Sequence, residues 1–136
     1  MNMIITTTML EDEVYEAVNV KGNRVRIDSR KGEDKKDLSP TELLLSGLAA
    51  CGAVDIVSML KKRRKTISRF IIETNGTRRD EAPRYFTSIH CTYIITSPDV
   101  NEEELEKTTS LALEKYCSVA SSLKSEITHS VKVIRS

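Results

Sequence analysis

The segment Ser39–Lys65, SPTELLLSGLAACGAVDIVSMLKKRRK, decides the fold because it predicts one long apolar helix. Ser39 and Glu42 form a Ser-x-x-Glu capping box, and Pro40 suits the first helical turn. Five consecutive cations at the other end favour the negative end of the helix dipole. Between the two ends the segment is apolar or small on nearly every side, with Asp55 as its only charge. Such a helix is expected to be buried all round.

The composition indicates one domain over residues 1–136, large enough for a hydrophobic core. The net charge of +1 and the 4% aromatic content, with no Trp, argue against a nucleic-acid partner. Three cysteines are too few, and odd in number, for a secreted disulfide framework. The first residues lack the pattern of a signal peptide, so we expect a cytoplasmic protein.

A membrane span is the rival interpretation of the long apolar segment. Leu43–Leu60 approaches the lower length limit for a span, and cations follow it. Asp55 lies near its centre, however, where an ionised carboxylate costs about 2.5–3.5 kcal/mol on insertion scales. The flanking segments also have the pattern of a sheet that needs a covering helix. We therefore expect no membrane partner.

The N-terminal region, residues 1–38, predicts strands. Residues 3–8 are β-prone, and Glu13–Val20 and Arg24–Asp28 flank the turn signal Lys21-Gly22-Asn23 as a β-hairpin. Residues 29–38 are charged and predict a solvated loop that leads into the central helix, residues 39–65.

Residues 66–136 predict a β-β-α-β order. The predicted elements are a strand over Thr66–Thr77 that ends at Asn75-Gly76, a strand over Tyr85–Thr96, a helix from Asn101 through Tyr116, a short helical piece over Ser118–Ser125, and a strand over Ile127–Ile134. In the second strand we expect Tyr85, Thr87, Ile89, Cys91, Tyr93 and Ile95 to share one face. The class is α+β, with antiparallel sheets and a long buried central helix.

A chain of 136 residues is too short to cover every side of the central helix. One sheet and one amphipathic helix leave much of its surface open. A second copy that lays its own helix alongside solves this, since small residues permit close approach, namely Ser46, Gly47, Ala49, Ala50, Gly52 and Ala53. We therefore expect an extensive homodimer.

The three thiols differ in their sequence contexts. Cys91 lies on the apolar face of a strand and is expected to be a core residue. Cys51 lies within the central helix, and Cys117 lies where a helix ends and a new turn begins. One attacking and one resolving thiol are what reversible thiol chemistry requires, although core packing remains the alternative for each.

Two separated motifs carry a family resemblance. Ser-Pro-Thr-Glu-Leu-Leu-Leu at 39–45, running into Leu-Ala-Ala-Cys at 48–51, and Lys-Tyr-Cys-Ser-Val-Ala at 115–120 resemble the OsmC/Ohr family of osmotically induced and organic hydroperoxide resistance proteins. The resemblance implies an intertwined α+β homodimer with active sites at the subunit interface. It also implies an antioxidant, oxidative-stress function, in which Cys51 attacks an organic hydroperoxide and becomes a sulfenic acid. Cys117 then resolves it to a disulfide, which an external dithiol reduces without any bound cofactor.

The residue that activates Cys51 is not evident. The helix start lies about three turns away, beyond the reach of its dipole. The peroxidase branches of the family place an Arg between the first two strands and a Glu ten residues before the attacking Cys. Here residues 9–13 contain no Arg, and Glu42 lies one place off that spacing, so the chain is similar to the OsmC-like branch. Arg24, Arg26 and Arg30 are the alternative cations.

Two functions stay open on the sequence. The protein is either an enzyme or a non-enzymatic dimer whose cysteines line an interface pocket for an apolar small molecule. A metal site is not expected, because His90 and Cys91 are adjacent on a strand and point to opposite faces. Asp55, one turn after Cys51, is expected to be a satisfied polar group.

Overall fold

The computed structural model describes all residues from Met1 to Ser136. The chain separates into two compact units, Met1–Leu44 and Leu45–Ser136, which we call the N-terminal and C-terminal units. The boundary lies inside the central helix. The single domain over 1–136 stays a prediction.

The N-terminal unit is built on a three-stranded antiparallel sheet in the order β1-β2-β3. Its strands are β1 (Ile5–Glu11), β2 (Val14–Asn19) and β3 (Arg24–Asp28). The predicted hairpin is confirmed, with Val14 opposite Asp28 and Val18 opposite Arg24. The turn has Gly22 at a φ of 90°, a left-handed conformation that glycine adopts without a steric cost. A single 3-10 turn, Gly32–Asp34, interrupts the following loop.

The central helix, α1, spans Pro40–Lys62. The capping box that starts it is confirmed, because the Ser39 N–H donates to Glu42 Oε1 at 2.9 Å and the Glu42 N–H donates to Ser39 Oγ at 3.3 Å. In the single chain, burial is confined to one stripe of the helix, namely Leu48, Gly52, Ile56 and Leu60. Val54, on the opposite side, is 68% exposed. The chain alone therefore does not bury this helix all round.

The C-terminal unit contains the main hydrophobic core. After α1 it has β4 (Arg69–Arg78), β5 (Phe86–Ser97), α2 (Glu102–Leu111), a π-helical turn (Ala112–Tyr116), α3 (Ser118–Ser122) and β6 (Glu126–Arg135). The strand order is β4-β5-β6. Residues Ile89, Cys91, Tyr93 and Ile95 of β5 are fully buried and pack in one cluster with the buried stripe of α1.

The pairing of β6 departs from the predicted antiparallel arrangement. Strands β4 and β5 are antiparallel, but β6 runs parallel to β5. The cause is the long connection through α2, which carries the chain back along the sheet before β6 begins, as parallel pairing requires. The α+β class is confirmed, and the second sheet is mixed.

Two details of β4 and β5 also differ from the predictions. The strand does not end at Asn75-Gly76, because Gly76 lies inside β4, opposite Ile89 and beneath the ring of Phe86. The pairing register shifts between Thr77 and Arg78. This irregularity changes the alternation of faces, so Phe86 is buried and Thr87 is exposed, the reverse of the prediction.

Candidate active site

Cys51 lies in the middle of α1 at the edge of the buried stripe. It is partly exposed, whereas the next residue, Gly52, is buried and Ala50 before it is exposed. The helical rotation of about 100° per residue explains this, because Cys51 falls between the face on the core and the face toward solvent. The thiol is therefore held on a rigid element and remains reachable.

A local distortion of the second helix positions Cys117. The Cys117 N–H donates to the carbonyl of Ala112 at 2.7 Å, five residues back, and closes the π-helical turn. Cys117 then caps α3, its sulfur accepting from the Ala120 N–H at 3.4 Å. Single π turns are frequent at functional sites because the extra residue redirects a side chain. Here the side chain so placed is a fully buried thiol.

The structure brings the Cys51 and Cys117 thiols together, close enough for each to influence the ionisation of the other. Burial raises the pKa of Cys117 to about 11, the Ala120 N–H opposes this rise, and the neighbouring Cys51 adds to it. Cys117 is therefore protonated near neutral pH. The two thiols differ in exposure, because Cys51 is partly exposed and Cys117 is fully buried.

A third thiol and a tyrosine complete the cluster. Tyr93, on β5, is fully buried and belongs to the same core cluster as Cys91, Cys117 and Cys51. Burial raises the pKa of Cys91, and burial together with the three thiols raises the pKa of Tyr93. Cys91 is a core residue, as predicted. The place of Tyr93 in one cluster with the thiols was not predicted, since alternation placed it only on the buried face of the strand.

The four predicted supporting residues all lie in the N-terminal unit, and each has a partner there. Arg24 pairs with Glu16 at 3.0 Å, Arg26 pairs with Asp37 at 3.4 Å, and Glu42 pairs with Lys35. The Lys35 ammonium and then the Ser39 N–H lower the pKa of Glu42 to about 2. Their assignment to the activation of Cys51 stays a prediction.

Arg30 has the most extensive set of partners among these cations. Its guanidinium donates from Nε and Nη2 to the two carboxylate oxygens of Asp28, at 3.0 and 2.8 Å, and from Nη1 to Glu11 at 3.1 Å. Asp28 has no exposed surface and also accepts from the Lys36 N–H at 2.8 Å. Arg30 and the Lys36 N–H hold the pKa of Asp28 well below its usual range. This bidentate pair fixes the end of β3.

A cavity of about 270 Å³ lies between α1 and the end of α2 with its π turn. Its lining residues are Asp55, Ser58, Met59, Lys62, Leu111 and Tyr116. Asp55 lies one helical turn beyond Cys51, and Tyr116 directly precedes Cys117.

An apolar groove of about 620 Å³ runs along the outer side of α1, lined by Ala50, Ala53, Val54, Val57, Ser58 and Lys61. No group of three or more His, Cys, Asp or Glu side chains is arranged to hold a metal ion.

The comparisons with known proteins identify the family. The family model described as "OsmC-like protein" matches residues 32–132, which include both cysteine motifs. The chain belongs to the OsmC-like family. It is 36% identical over 118 residues to protein YhfA of Escherichia coli K12, a match that covers 85% of this chain and 87% of YhfA.

Solved structures of OsmC-like proteins share this fold. The OsmC-like protein of Mycoplasma pneumoniae superposes with a TM-score of 0.83 at 25% identity, covering 98% of each chain. The organic hydroperoxide resistance protein OhrB of Bacillus subtilis superposes with a TM-score of 0.63 at 17% identity, also over 98% of each chain. At 17% identity the likeness to OhrB shows the fold alone. By length and composition α1 is able to cross a membrane, but in the OsmC-like fold it is a core helix.

Proposed function

We propose that this OsmC-like protein is a thiol-dependent peroxidase that reduces organic hydroperoxides. The observation that carries the proposal is the meeting of two thiols of opposite character, the reachable Cys51 and the sheltered, protonated Cys117. Membership of a family that includes organic hydroperoxide resistance proteins supports a peroxide-related redox function. The proposed setting is the cytoplasm.

The proposed chemistry balances in three steps. The Cys51 thiolate attacks the outer oxygen of the hydroperoxide, so that an S–O bond forms, the O–O bond breaks and the alkoxide leaves and takes up a proton. The resulting Cys51 sulfenic acid reacts with the Cys117 thiol to give a disulfide and water. An external dithiol then reduces this disulfide and is oxidised to a disulfide itself. No bound cofactor or metal is needed in this scheme.

A mass-spectrometric experiment tests this chemistry. Reduced protein is mixed with an alkyl hydroperoxide, the remaining thiols are alkylated, and the peptides are analysed. We expect one Cys51–Cys117 disulfide. Cys91 should be recovered as a thiol that is alkylated only after the protein is unfolded, because its full burial keeps it from the peroxide. The alcohol and the disulfide should form in equal amounts. If the reduced protein consumes no peroxide, the proposed function is wrong.

We further propose that the active unit is a homodimer built on the outer side of α1. The apolar groove there has a 68% exposed Val54 at its centre, and a second copy of the helix would bury it. Apolar helix surface of this extent is costly to leave in water. The small residues that flank Val54 permit a close helix–helix approach.

A charge placed in this groove should separate the two subunits. We expect Val54→Lys to convert the dimer to a monomer in sedimentation experiments, because a buried ammonium without a partner costs several kcal/mol. Val20→Lys is the matched control, since Val20 is 84% exposed and lies outside the groove. A dimer that survives Val54→Lys unchanged would place the interface elsewhere.

A further inference from the structure

The Tyr93 hydroxyl is the one buried polar group in the thiol cluster without a satisfactory partner. Its oxygen has no exposed surface and makes no hydrogen bond of normal geometry. Three neighbouring thiols act on its ionisation, Cys91 most strongly, followed by Cys117 and Cys51. An unsatisfied buried hydroxyl costs about 1–3 kcal/mol. A core built for stability alone would carry Phe at this position, so the hydroxyl calls for a chemical explanation.

The position of the hydroxyl points to the reacting thiol. A Cβ atom built on Gly52 would lie 2.7 Å from Tyr93 Oη, so the oxygen lies against the helix backbone at the residue that follows Cys51. The absence of a side chain at Gly52 creates the space that the hydroxyl occupies. Leu113 lies 3.6 Å from the same point and closes the space on its other side.

The three neighbouring sulfur atoms are not equivalent as acceptors. Cys91 and Cys117 are fully buried, and burial favours their neutral thiols, which accept hydrogen bonds only weakly. Cys51 alone of the three is partly exposed. A hydrogen bond to an ionised acceptor is about twice as strong as one between neutral groups. The strongest hydrogen bond open to the hydroxyl is therefore the one that it donates to an ionised Cys51.

We propose that the Tyr93 hydroxyl donates a hydrogen bond to the Cys51 thiolate and is a catalytic residue that activates it. This inference rests on the proposed function, because it takes Cys51 as the nucleophile. The Tyr93 hydroxyl is thus the activating group that the sequence did not reveal. It comes from strand β5 of the C-terminal unit, which also contains Cys51.

The surrounding ionisable groups are consistent with this assignment. Because burial and the adjacent thiols raise the pKa of Tyr93, its hydroxyl keeps the proton that it donates. The ionisable side chains of the cluster are Cys91 and Tyr93 from β5 and Cys117 from the end of the π turn. Asp55 lies one turn along α1, lining the cavity with Lys62 and Tyr116. Cys91, Tyr93 and Cys117 are all uncharged or acidic groups, so β5 and the π turn contribute no cation to the cluster.

The pH dependence of alkylation at Cys51 tests the proposal without any peroxide. Wild type and Tyr93→Phe are treated with iodoacetamide across a pH series, and the modification of Cys51 is followed by peptide mass spectrometry. We expect the midpoint for Cys51 to rise by about one to two pH units in Tyr93→Phe, the size of a lost charge-assisted hydrogen bond. At a fixed pH below the midpoint this is a 10- to 100-fold lower alkylation rate.

The controls separate this function from a structural one. Tyr85→Phe removes a hydroxyl at the residue just before β5 and should leave the Cys51 midpoint unchanged. Tyr93→Phe should be as stable as wild type or more so, because it removes an unsatisfied group. If Tyr93→Phe does not fold, 3-fluorotyrosine at position 93, a more acidic donor, should lower the midpoint instead. An unchanged midpoint in a folded variant overturns the proposal, whereas failure of wild type to reduce peroxide overturns the proposed function separately.

Discussion

Cys51→Ser is expected to abolish hydroperoxide reduction, lowering the rate by at least about three orders of magnitude. A serine hydroxyl at this position has no base to ionise it, and it cannot form the sulfenic acid on which the cycle depends. The measurement is peroxide consumption in the presence of excess dithiol. Because Cys51 is only partly buried, the substitution should leave the unfolding temperature nearly unchanged.

Cys117→Ser is the informative companion variant. It keeps the attacking thiol and lacks the resolving one, so it should consume a single equivalent of peroxide and stop at a sulfenic acid that a dione reagent traps. If Cys117→Ser fails to consume even that first equivalent, Cys117 takes part in the attack itself. A Cys51→Ser variant that still consumes peroxide would move the nucleophile to another thiol.

Gly52→Ala is expected to destabilise the fold by about 1–2 kcal/mol. The added methyl group would lie 2.7 Å from Tyr93 Oη, inside the contact distance of the two atoms, and Tyr93 is too deeply buried to move freely. Overpacking of this kind costs about 1–3 kcal/mol, and the higher helix propensity of Ala returns at most about 1 kcal/mol. Thermal unfolding should show a Tm lower by about 4–8 °C.

Two further variants make the Gly52 prediction specific. Gly47→Ala places the same substitution in the same helix where no atom lies within 4 Å, so in the isolated chain it should be neutral or stabilise by up to about 1 kcal/mol. Tyr93→Phe removes the obstructing oxygen and should restore much of the stability that Gly52→Ala loses. Simple additivity of these two substitutions would contradict the placement of the hydroxyl against α1.

Elements that depend on neighbouring residues were predictable. The capping box of Ser39 and Glu42, the turn at Gly22, the Asn101 cap of α2 and the alternation of β5 from Ile89 to Ile95 each follow from interactions within a few positions of the chain. The two cysteine motifs also predicted the family and the pair of thiols. The sequence separation of Cys51 and Cys117 does not by itself indicate that the two thiols meet in the folded chain.

Two predictions were wrong because they relied only on neighbouring residues, namely the strand end at Gly76 and the antiparallel pairing of β6. Gly76 was taken as the end of a strand because Asn-Gly is a turn signal, yet the Phe86 ring covers it from the neighbouring strand. The parallel pairing of β6 depends on the path of the chain through α2. In both cases contacts between distant residues override a local preference.

The amino-acid sequence determines the central helix, its ends, the order of the other elements and the two motifs around Cys51 and Cys117. These depend on hydrophobic periodicity and capping, which act over one or two turns. Only the tertiary structure decides which side chains lie around the Cys51 thiol. The π turn that delivers Cys117 and the strand that aims the Tyr93 hydroxyl at α1 are set by packing across the core, where residues far apart in the chain meet.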